Sequence, residues 1–325
     1  ETEQGEVLEG YLQSQIVRDE RAEGGPLVFA LPKNLAWGYH KLIVSRKRRK
    51  TPYEMSLIIT PKACFKQDDL NQHKKLWGPS IQLYTLRTQH NWGIGDFGDL
   101  KQLVSDIASR GGDFIGLNPI HSLFPANPEG ASPYSPSSRR WLNIMYIDVS
   151  SVPEFALSAE AQQRVGSAEF QQRLQKARDS HWVNYTEVSQ LKMSVLPLLF
   201  SEFKARHLDK NTDRARAFLD FVEKGGDSLL HQAAFDALHA DLHAEDSNMW
   251  GWPVFPEKYR TFDAAGTQKY IKDNQDRVHL YMYLQWIADD QIKEAQSLAE
   301  EKGMAVGLYR DLAVGVADSG SETWA

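Results

Sequence analysis

The side chains best suited to contact a ligand lie in one long polar stretch of the chain. Residues 121–140 read HSLFPANPEGASPYSPSSRR, with four prolines and almost no apolar periodicity. Loops longer than about 12–15 residues without regular structure are usually either functional or disordered. Aromatic and basic residues are frequent in and beside this stretch: Phe124, Tyr134, Arg139, Arg140 and Trp141. Because such a composition argues against disorder, we predict a binding loop.

The elements before this loop predict where it lies in the fold. DFIGLNPI (113–120) is a short apolar run, typical of a fully buried strand. DFGDLKQLVSDIASRGG (96–112) has an apolar helical stripe and a glycine stop, and WGPSIQLYTLR (77–87) alternates like a strand. Strand, helix and strand form a βαβ unit, which builds a parallel sheet with ligands at the carboxyl ends of its strands. The loop starts at such an end.

Two acidic residues near the start of this unit have an alternative, structural interpretation. Asp96 and Asp99 in GIGDFGDL have the residue type of catalytic acids. However, Asp96 occupies the position of a helix N-cap and Asp99 lies in the first turn, where a carboxylate suits the helix dipole. We therefore predict a structural role for both. The ten histidines include no HExxH or similar spacing, so no metal site is predicted.

The composition is that of an ordinary globular protein. The 325 residues are 42% hydrophobic and carry a net charge of −6, which argues against a nucleic-acid or membrane-surface partner. A single cysteine, Cys64, excludes an intramolecular disulfide and favours a reducing, cytoplasmic compartment. No apolar run approaches the roughly 18 residues that span a bilayer. The oligomeric state is left open.

The remaining chain predicts a small β module followed by a long helical region. Short apolar runs within residues 26–66 indicate strands, with the basic run Arg46–Lys50 at a hairpin tip. We therefore assign residues 1–66 to part of a β-sandwich-like module. After residue 150 the predicted helices cover 158–178, 196–223, 227–245 and 276–303. The apolar run 304–316 predicts a further buried strand.

Three stretches together carry a family resemblance. LWGPSIQLYTLRTQHNWGIGDFGDL, FIGLNPIH…PANPEGASPYSPSSRRWLN and GLYRDLAVGV…ETW resemble the 4-α-glucanotransferases (amylomaltases or disproportionating enzymes) of the α-amylase clan, in the bacterial maltose-system form. The resemblance covers essentially all of residues 77–325. It implies a (β/α)8 barrel that moves glycosyl groups between malto-oligosaccharides, cleaving and forming α-1,4 linkages with retention through a covalent glycosyl-enzyme. It implies no cofactor.

The resemblance also implies a fold class, α/β, with only part of the barrel in this sequence. Residues 67–325 would supply about the first three barrel strands, at 81–87, 113–120 and 304–316. A helical insertion at about 151–303 would separate the second and third of these strands.

The resemblance assigns roles to residues of the loop. Tyr134 of SPY corresponds to the tyrosine that stacks on the sugar next to the scissile bond, and Ser132 is the neighbouring polar contact. In some relatives an aromatic residue five positions before this tyrosine serves a second glucan site, and here that position is Glu129. Arg139 and Arg140 are expected to hold the loop through carboxylates or carbonyls.

Further candidates follow the predicted strands. Asn118 and His121 flank the end of the second strand, where they either line the pocket floor or make strand-end hydrogen bonds. Asp311 falls within the third predicted strand, where a buried carboxylate needs a partner, and its expected role is to orient active-site groups. Asp318 and Glu322 come after that strand, on the ligand-facing side, as candidate substrate contacts.

The two acids of the reaction are not found in this sequence. Retaining transfer needs two carboxyl groups about 5–5.5 Å apart. The family carries them, with a stabilising Asp, in RIDH-, EDLG- and HD-type motifs, and none of the three occurs among the 325 residues. We therefore expect the catalytic residues to lie beyond residue 325 and this chain alone to be inactive.

Three other functions remain possible from the residues alone. The chain could be a maltodextrin-binding module that keeps Tyr134 but lacks catalytic acids. It could also be part of an α-glucan hydrolase of the same clan, because nothing in the residues excludes water as the acceptor. A structural or interaction protein built on the β module is the third possibility.

Overall fold

The computed structural model describes residues 2, 6–8, 15–16, 27–28, 31, 34–45, 51–65 and 75–325. They fall into two compact units, Glu1–Lys74 and Lys75–Ala325, which are considered separately. No helix among these residues is long and apolar enough to cross a membrane. Within the same residues, no group of three or more His, Cys, Asp and Glu side chains is arranged to hold a metal ion.

Within its described residues, the first unit contains two antiparallel strand pairs. β1 (Gln15–Ile16) pairs with β2 (Leu27–Val28), and β3 (Gly38–Val44) pairs with β4 (Tyr53–Ile59). The longer pair keeps its register from Gly38 opposite Ile59 to Val44 opposite Tyr53. Strands were predicted within residues 26–66, where β2, β3 and β4 are found, whereas β1 lies before that range and was not predicted. The predicted hairpin tip at Arg46–Lys50 lies outside the described residues.

The second unit is organised by a three-stranded parallel sheet. Its strands are β5 (Ser80–Ile81), β6 (Phe114–Leu117) and β9 (Gly307–Arg310), in the order β5-β6-β9. Helix α1 (Phe97–Ser109) connects the first two, which gives the predicted βαβ unit. A close approach requires glycine at position 116, because a Cβ there would lie 2.6 Å from the Ser80 hydroxyl oxygen.

Two of the parallel strands are much shorter than predicted. The strand predicted over 77–87 ends at Ile81, because the Asn118 side chain accepts the Leu83 N–H at 2.8 Å and a 3-10 turn follows at Leu83–Thr85. The strand predicted over 304–316 ends at Arg310. Beyond it the Ala313 N–H bonds to the His121 ring instead of to another strand.

The N-terminus of α1 shows the predicted capping. Asp96 Oδ1 accepts hydrogen bonds from the backbone N–H of Gly98 and Asp99, and the Asp99 carboxylate accepts the Asp96 N–H at 3.0 Å. Burial raises the pKa of Asp96 to about 7, against the opposing effect of Lys192, whose Nζ lies 3.7 Å from Asp96 Oδ2. The structural interpretation of both acids is confirmed.

A helical region separates the second and third parallel strands. An antiparallel pair comes first, β7 (His121–Ser122) with β8 (Ser138–Leu142). Six helices follow: α2 (Ala159–Gly166), α3 (Ala168–Asp179), α4 (Tyr185–Arg206), α5 (Asp213–Glu245), α6 (Ala265–Asp273) and α7 (Gln275–Glu301). The last short helix, α8 (Ser321–Trp324), follows β9.

The helix bounds correct several predictions. α7 agrees with the predicted 276–303, but the predicted 158–178 is two helices, separated at Ser167, whose hydroxyl accepts the Phe170 N–H and caps the second helix. The prediction of one helix over 196–223 is wrong. α4 ends at Arg206, and α5 starts after Thr212, whose side chain accepts the Ala215 N–H. Capping residues outside the apolar runs set these boundaries.

The core of the second unit lies between the parallel sheet and the helices. Both the sheet and the helices contribute fully buried side chains to this core, including Leu100 of α1, Ile115 of β6, Leu199 of α4 and Leu284 of α7. A second, smaller hydrophobic cluster is formed by residues of helix α5 and the segments that pack on it: Phe124, Ala234, Phe235, Leu238, Phe255 and Trp324. This smaller cluster includes a residue of the predicted binding loop and so anchors that loop.

Asp96 is expected to matter for stability through its capping bonds. Asp96→Ala removes an acceptor of two backbone N–H groups, so we expect a loss of about 2 kcal/mol in the free energy of unfolding. Asp96→Asn keeps a side-chain acceptor and should lose clearly less. Urea denaturation followed by tryptophan fluorescence measures both. Wild-type stability in Asp96→Ala would contradict the capping role.

Candidate functional site

The loop at residues 123–137, called the Tyr134 loop below, follows β7, shortly after the carboxyl end of β6, and is closed at its base. Ser122 and Ser137, its two stems, are joined by a 2.8 Å hydrogen bond from the Ser137 N–H to the Ser122 carbonyl. The β7–β8 pair continues this closure with Ser122 opposite Ser138. Both stems are buried. The base of the loop is therefore fixed by backbone bonds.

The tip of the loop carries the two predicted sugar contacts. Ser132 and Tyr134 belong to a turn in which the Ser135 N–H donates to the Ser132 carbonyl at 3.2 Å. Tyr134 is 59% exposed, and Ser132 is also exposed. An exposed aromatic ring next to a hydroxyl can cover the apolar face of a pyranose while polar groups bind its hydroxyls.

The first part of the loop is anchored to the helices. Phe124 is buried in the smaller hydrophobic cluster, with its ring edge-on to Phe235 at a centroid distance of 6.4 Å. The Ser189 hydroxyl of α4 donates to the Pro125 carbonyl at 3.0 Å. The Glu129 carboxylate accepts a hydrogen bond from the Thr186 hydroxyl, also on α4. Packing and hydrogen bonds order this half of the loop.

The other end of the loop is held by an ion pair. Glu322 Oε1 accepts from Arg139 Nε at 3.1 Å and Nη2 at 2.6 Å, and its Oε2 accepts the Arg139 backbone N–H at 2.8 Å. Arg139 Nη1 also donates to the Val314 carbonyl at 2.9 Å. Burial alone would raise the pKa of Glu322, but these bonds from Arg139 outweigh it and hold the pKa below its usual value.

These contacts change the interpretation of Glu322. Because Arg139 occupies both of its oxygens, the structure shows Glu322 holding the loop, as was expected of a partner for Arg139. A direct contact between Glu322 and a sugar stays a prediction, and this pairing does not favour it. Asp318 lies earlier in the same segment with an exposed side chain, and its substrate contact also stays a prediction.

The segment that carries these two acids packs directly on the loop stem. The Ala317 N–H donates to the Pro136 carbonyl at 2.8 Å, and the Glu322 N–H donates to the Ser137 carbonyl at 3.0 Å. Gly320 allows this approach, since a Cβ at that position would lie 2.5 Å from Ser137 Cα. The sequence offers little warning of these contacts, because about 180 residues separate the two segments.

Asn118 and His121 make strand-end hydrogen bonds. Besides accepting the Leu83 N–H, Asn118 donates to the Pro119 carbonyl at 2.7 Å. His121 Nε2 accepts the Ala313 N–H at 3.2 Å, which assigns the ring proton to Nδ1. Burial, followed by the Arg310 charge, lowers the pKa of His121, so its ring is neutral at pH 7. Of the two roles considered, the structure shows strand-end bonding.

The reasoning about Asp311 was wrong. It was predicted as a buried carboxylate within a strand, but β9 ends one residue earlier and the Asp311 side chain is exposed. The Asp311 N–H still bonds to the Leu117 carbonyl at 3.1 Å, so the backbone stays beside β6. A carboxylate in water needs no buried partner, so burial gives no reason for Asp311 to orient active-site groups.

A surface groove on the helical region does not coincide with the loop tip. It has a volume of about 700 Å³ and is lined by residues of α3, α4 and the segment between them, including Gln172, Gln175, Asn184 and Glu187. Tyr134 is not in its lining. An aromatic side chain does contact the segment beside the loop stem: Trp252 Nε1 donates to the Thr323 hydroxyl at 3.0 Å.

Comparison with known proteins identifies the family. A family profile described as 4-alpha-glucanotransferase matches residues 81–325, which include the parallel sheet and the Tyr134 loop. The chain belongs to the 4-alpha-glucanotransferase family. A second profile, described as the MalQ N-terminal beta sandwich domain, matches residues 1–61.

Named 4-alpha-glucanotransferases resemble the chain over most of its length. The protein of Haemophilus influenzae is 35% identical over 301 residues, covering 91% of this chain and 42% of the relative. The protein of Mycobacterium tuberculosis is 31% identical over 313 residues, covering 93% and 40%. The chain thus spans about two fifths of the length of these relatives.

Two solved amylomaltase structures have a similar fold. The crystal structure of amylomaltase from Corynebacterium glutamicum is 31% identical, with a TM-score of 0.69 over 90% of this chain and 37% of that one. The amylomaltase from Streptococcus agalactiae in complex with acarbose is 19% identical, with a TM-score of 0.55 over 76% and 45%. The second comparison supports the fold alone.

The Arg139–Glu322 ion pair predicts that the stability of the fold depends on pH. A lowered folded-state pKa means that Glu322 stabilises the fold above its usual pKa of 4.5 and loses that effect as the pH falls through the lower folded value. We therefore expect Glu322→Gln to be less stable than wild type at pH 7, with a smaller difference at pH 3. Urea denaturation at both pH values measures the difference.

Arg173–Glu187 provides a matched control. Its nitrogen–oxygen distance is also 2.6 Å, with side-chain exposures of 39% and 22% against 38% and 22% for Arg139–Glu322. Glu187→Gln should leave amide hydrogen exchange at residues 137–140 unchanged, whereas Glu322→Gln should accelerate it. Equal exchange in the two variants would show that Glu322 does not hold the loop.

Proposed function

We propose that the chain is part of a 4-α-glucanotransferase that transfers α-1,4-glucan segments between malto-oligosaccharides by a retaining covalent mechanism. The observation that carries the proposal is the exposed Tyr134, at the tip of an anchored loop that follows β7 shortly after the carboxyl end of the parallel strand β6. The family membership of residues 81–325 supports the same substrate class. The proposed reaction needs no cofactor.

We further propose that β5, β6 and β9 are three strands of a (β/α)8 barrel, with α2–α7 as an insertion before the third. Their parallel pairing and the helix between the first two support this arrangement. In such a barrel the Tyr134 loop, Asn118 and His121 would all lie at the face where substrates bind. Ser132, Tyr134 and Asp318 are the proposed substrate contacts, and Glu322 the proposed support of the loop.

The proposed role of this chain within the reaction is glucan binding. Tyr134 would stack on a sugar ring, which removes the C–H face of the pyranose and the aromatic face from water. The two carboxyl groups that a retaining transfer requires are not among the residues assigned here, since no RIDH, EDLG or HD motif occurs in the sequence. The single cysteine supports a cytoplasmic location.

Tyr134 is expected to contribute to glucan binding through its ring rather than its hydroxyl. Tyr134→Ala should raise the Kd for maltoheptaose by about tenfold, and Tyr134→Phe should stay within about threefold of wild type, because stacking needs only the ring. Isothermal titration calorimetry of the 325-residue chain measures both. Trp182→Ala removes another exposed aromatic residue, between α3 and α4, and serves as the control.

The result that contradicts this role is specific. If Tyr134→Ala binds maltoheptaose as tightly as wild type, or if Trp182→Ala weakens binding equally, the loop tip is not the sugar contact. Loss of binding in Tyr134→Phe as well would assign the contact to the hydroxyl, and the stacking argument would fail.

The maltodextrin-binding alternative is separated from transfer by an activity assay. Incubated with maltotriose, the 325-residue chain is expected to release neither glucose nor longer maltodextrins, because its sequence lacks the three acidic motifs. Chromatography of the products measures this, with Tyr134→Ala, purified identically, as the control for contaminating enzymes. Disproportionation by wild type but not by Tyr134→Ala would place the catalytic acids within these residues. Glucose release without longer products would favour the hydrolase alternative.

A further inference from the structure

A buried ring of polar side chains lies beneath the Tyr134 loop. Gln232 of α5 is 1% exposed, and its Nε2 donates to the Ser122 hydroxyl at 3.0 Å. Its Oε1 accepts a hydrogen bond from the Ser321 hydroxyl. The Ser321 N–H donates to the Ser137 hydroxyl at 2.9 Å, and the backbone bond from Ser137 to Ser122 closes the ring. One amide side chain thus connects both stems of the loop and α8.

This polar ring lies beside apolar side chains. The neighbouring cluster is apolar and includes Phe124, Phe235 and Trp324. Ser122, Ser137 and Ser321 are all buried. Burying several polar side chains costs free energy that hydrogen bonds only offset, whereas their directionality selects one arrangement of the segments they join. The ring therefore contributes specificity of loop position more than stability.

Asp236 sets the direction of the Gln232 amide. Its Oδ2 accepts a second hydrogen bond from Gln232 Nε2 at 2.8 Å. Serine hydroxyls can donate or accept, so Ser122 and Ser321 do not decide which amide atom faces them. In its ionised form the Asp236 carboxylate can only accept, which keeps Nε2 toward Asp236 and Oε1 toward Ser321. Asp236 is itself buried, and burial raises its pKa to about 7, against the opposing bond from Gln232.

From this geometry we propose that Gln232 is a positioning residue for substrate binding, which fixes the separation of the two loop stems and so places Ser132 and Tyr134. The inference rests on the proposed sugar-binding role of Tyr134. Gln232 is buried under the stems and acts only through them. Its effect on glucan binding must therefore pass through the loop, and this distinguishes it from a residue that merely stabilises the fold.

The test compares two buried glutamines. Gln232→Met keeps the side-chain length and removes the ring bonds. Gln291→Met is the matched control, because Gln291 of α7 is 4% exposed and also makes three hydrogen bonds, to the Asp148 N–H, the Asp148 carbonyl and the Ser151 hydroxyl. We expect Gln232→Met to raise the Kd for maltoheptaose about tenfold and Gln291→Met to leave it within about twofold.

A double-variant cycle tests whether the effect passes through the loop tip. If Gln232 acts mainly by placing Tyr134, Gln232→Met should weaken binding by a much smaller factor in a Tyr134→Ala background, where only Ser132 is left to misplace. The proposal is overturned if the fold-change in Kd of the double variant equals the product of the two single-variant fold-changes. An unchanged Kd in Gln232→Met would also overturn it. If Gln232→Met does not fold, Ser122→Ala removes one ring bond and is expected to show the same non-additivity with a smaller effect.

Amide hydrogen exchange gives a readout that does not depend on glucan. Gln232→Met should accelerate exchange over residues 122–137 about tenfold or more, and Gln291→Met should not. If Tyr134→Ala leaves glucan binding unchanged, the proposed sugar-binding role of Tyr134 is wrong. Amide exchange over residues 122–137 then tests by itself whether Gln232 positions the loop. Unchanged exchange over 122–137 in Gln232→Met overturns that role whatever the glucan result.

Discussion

The fixed separation of Ser122 and Ser137 is the constraint on which the candidate site depends. A loop of fifteen residues loses much conformational entropy when ordered. Here the ordering contacts lie at the base and the flank: the backbone bond between the stems, the Ala317 and Glu322 amides, and buried Phe124. None of them involves the Tyr134 ring. The fold thus anchors the loop without covering the side chain that is proposed to bind sugar.

The helical region stabilises the chain that leaves the site. From the last residue of β8 the backbone continues through short 3-10 turns, and buried side chains of the helices satisfy several of its polar groups. Gln285 bonds to the N–H and carbonyl of Leu142, and Gln291 does the same at Asp148. Lys192 donates to the carbonyls of Met145 and Ile147 at 2.8 and 2.6 Å. The helices therefore supply hydrogen bonds to this segment as well as apolar surface.

Features that depend on residues close together in the chain, such as helix caps and apolar helix faces, could be predicted from the sequence. The cap of α1 follows from Asp96 and Asp99 three residues apart, and the stripe of α7 from its apolar spacing. The length of β9 and the exposure of Asp311 could not be predicted, because an apolar run does not show where its pairing stops. The Arg139–Glu322 pair joins residues 183 positions apart, and no spacing rule connects them.

The prolines explain how an exposed tip can still be preorganised. Four of them, Pro125, Pro128, Pro133 and Pro136, lie in the Tyr134 loop, and each restricts its own φ and the conformation of the preceding residue. Pro133 lies within the turn, directly before Tyr134, and Pro136 directly follows the turn. A turn with few accessible backbone states loses less entropy when a ligand binds. The stacking contribution of Tyr134 can then appear largely as affinity, provided that the stems keep the turn where the substrate lies.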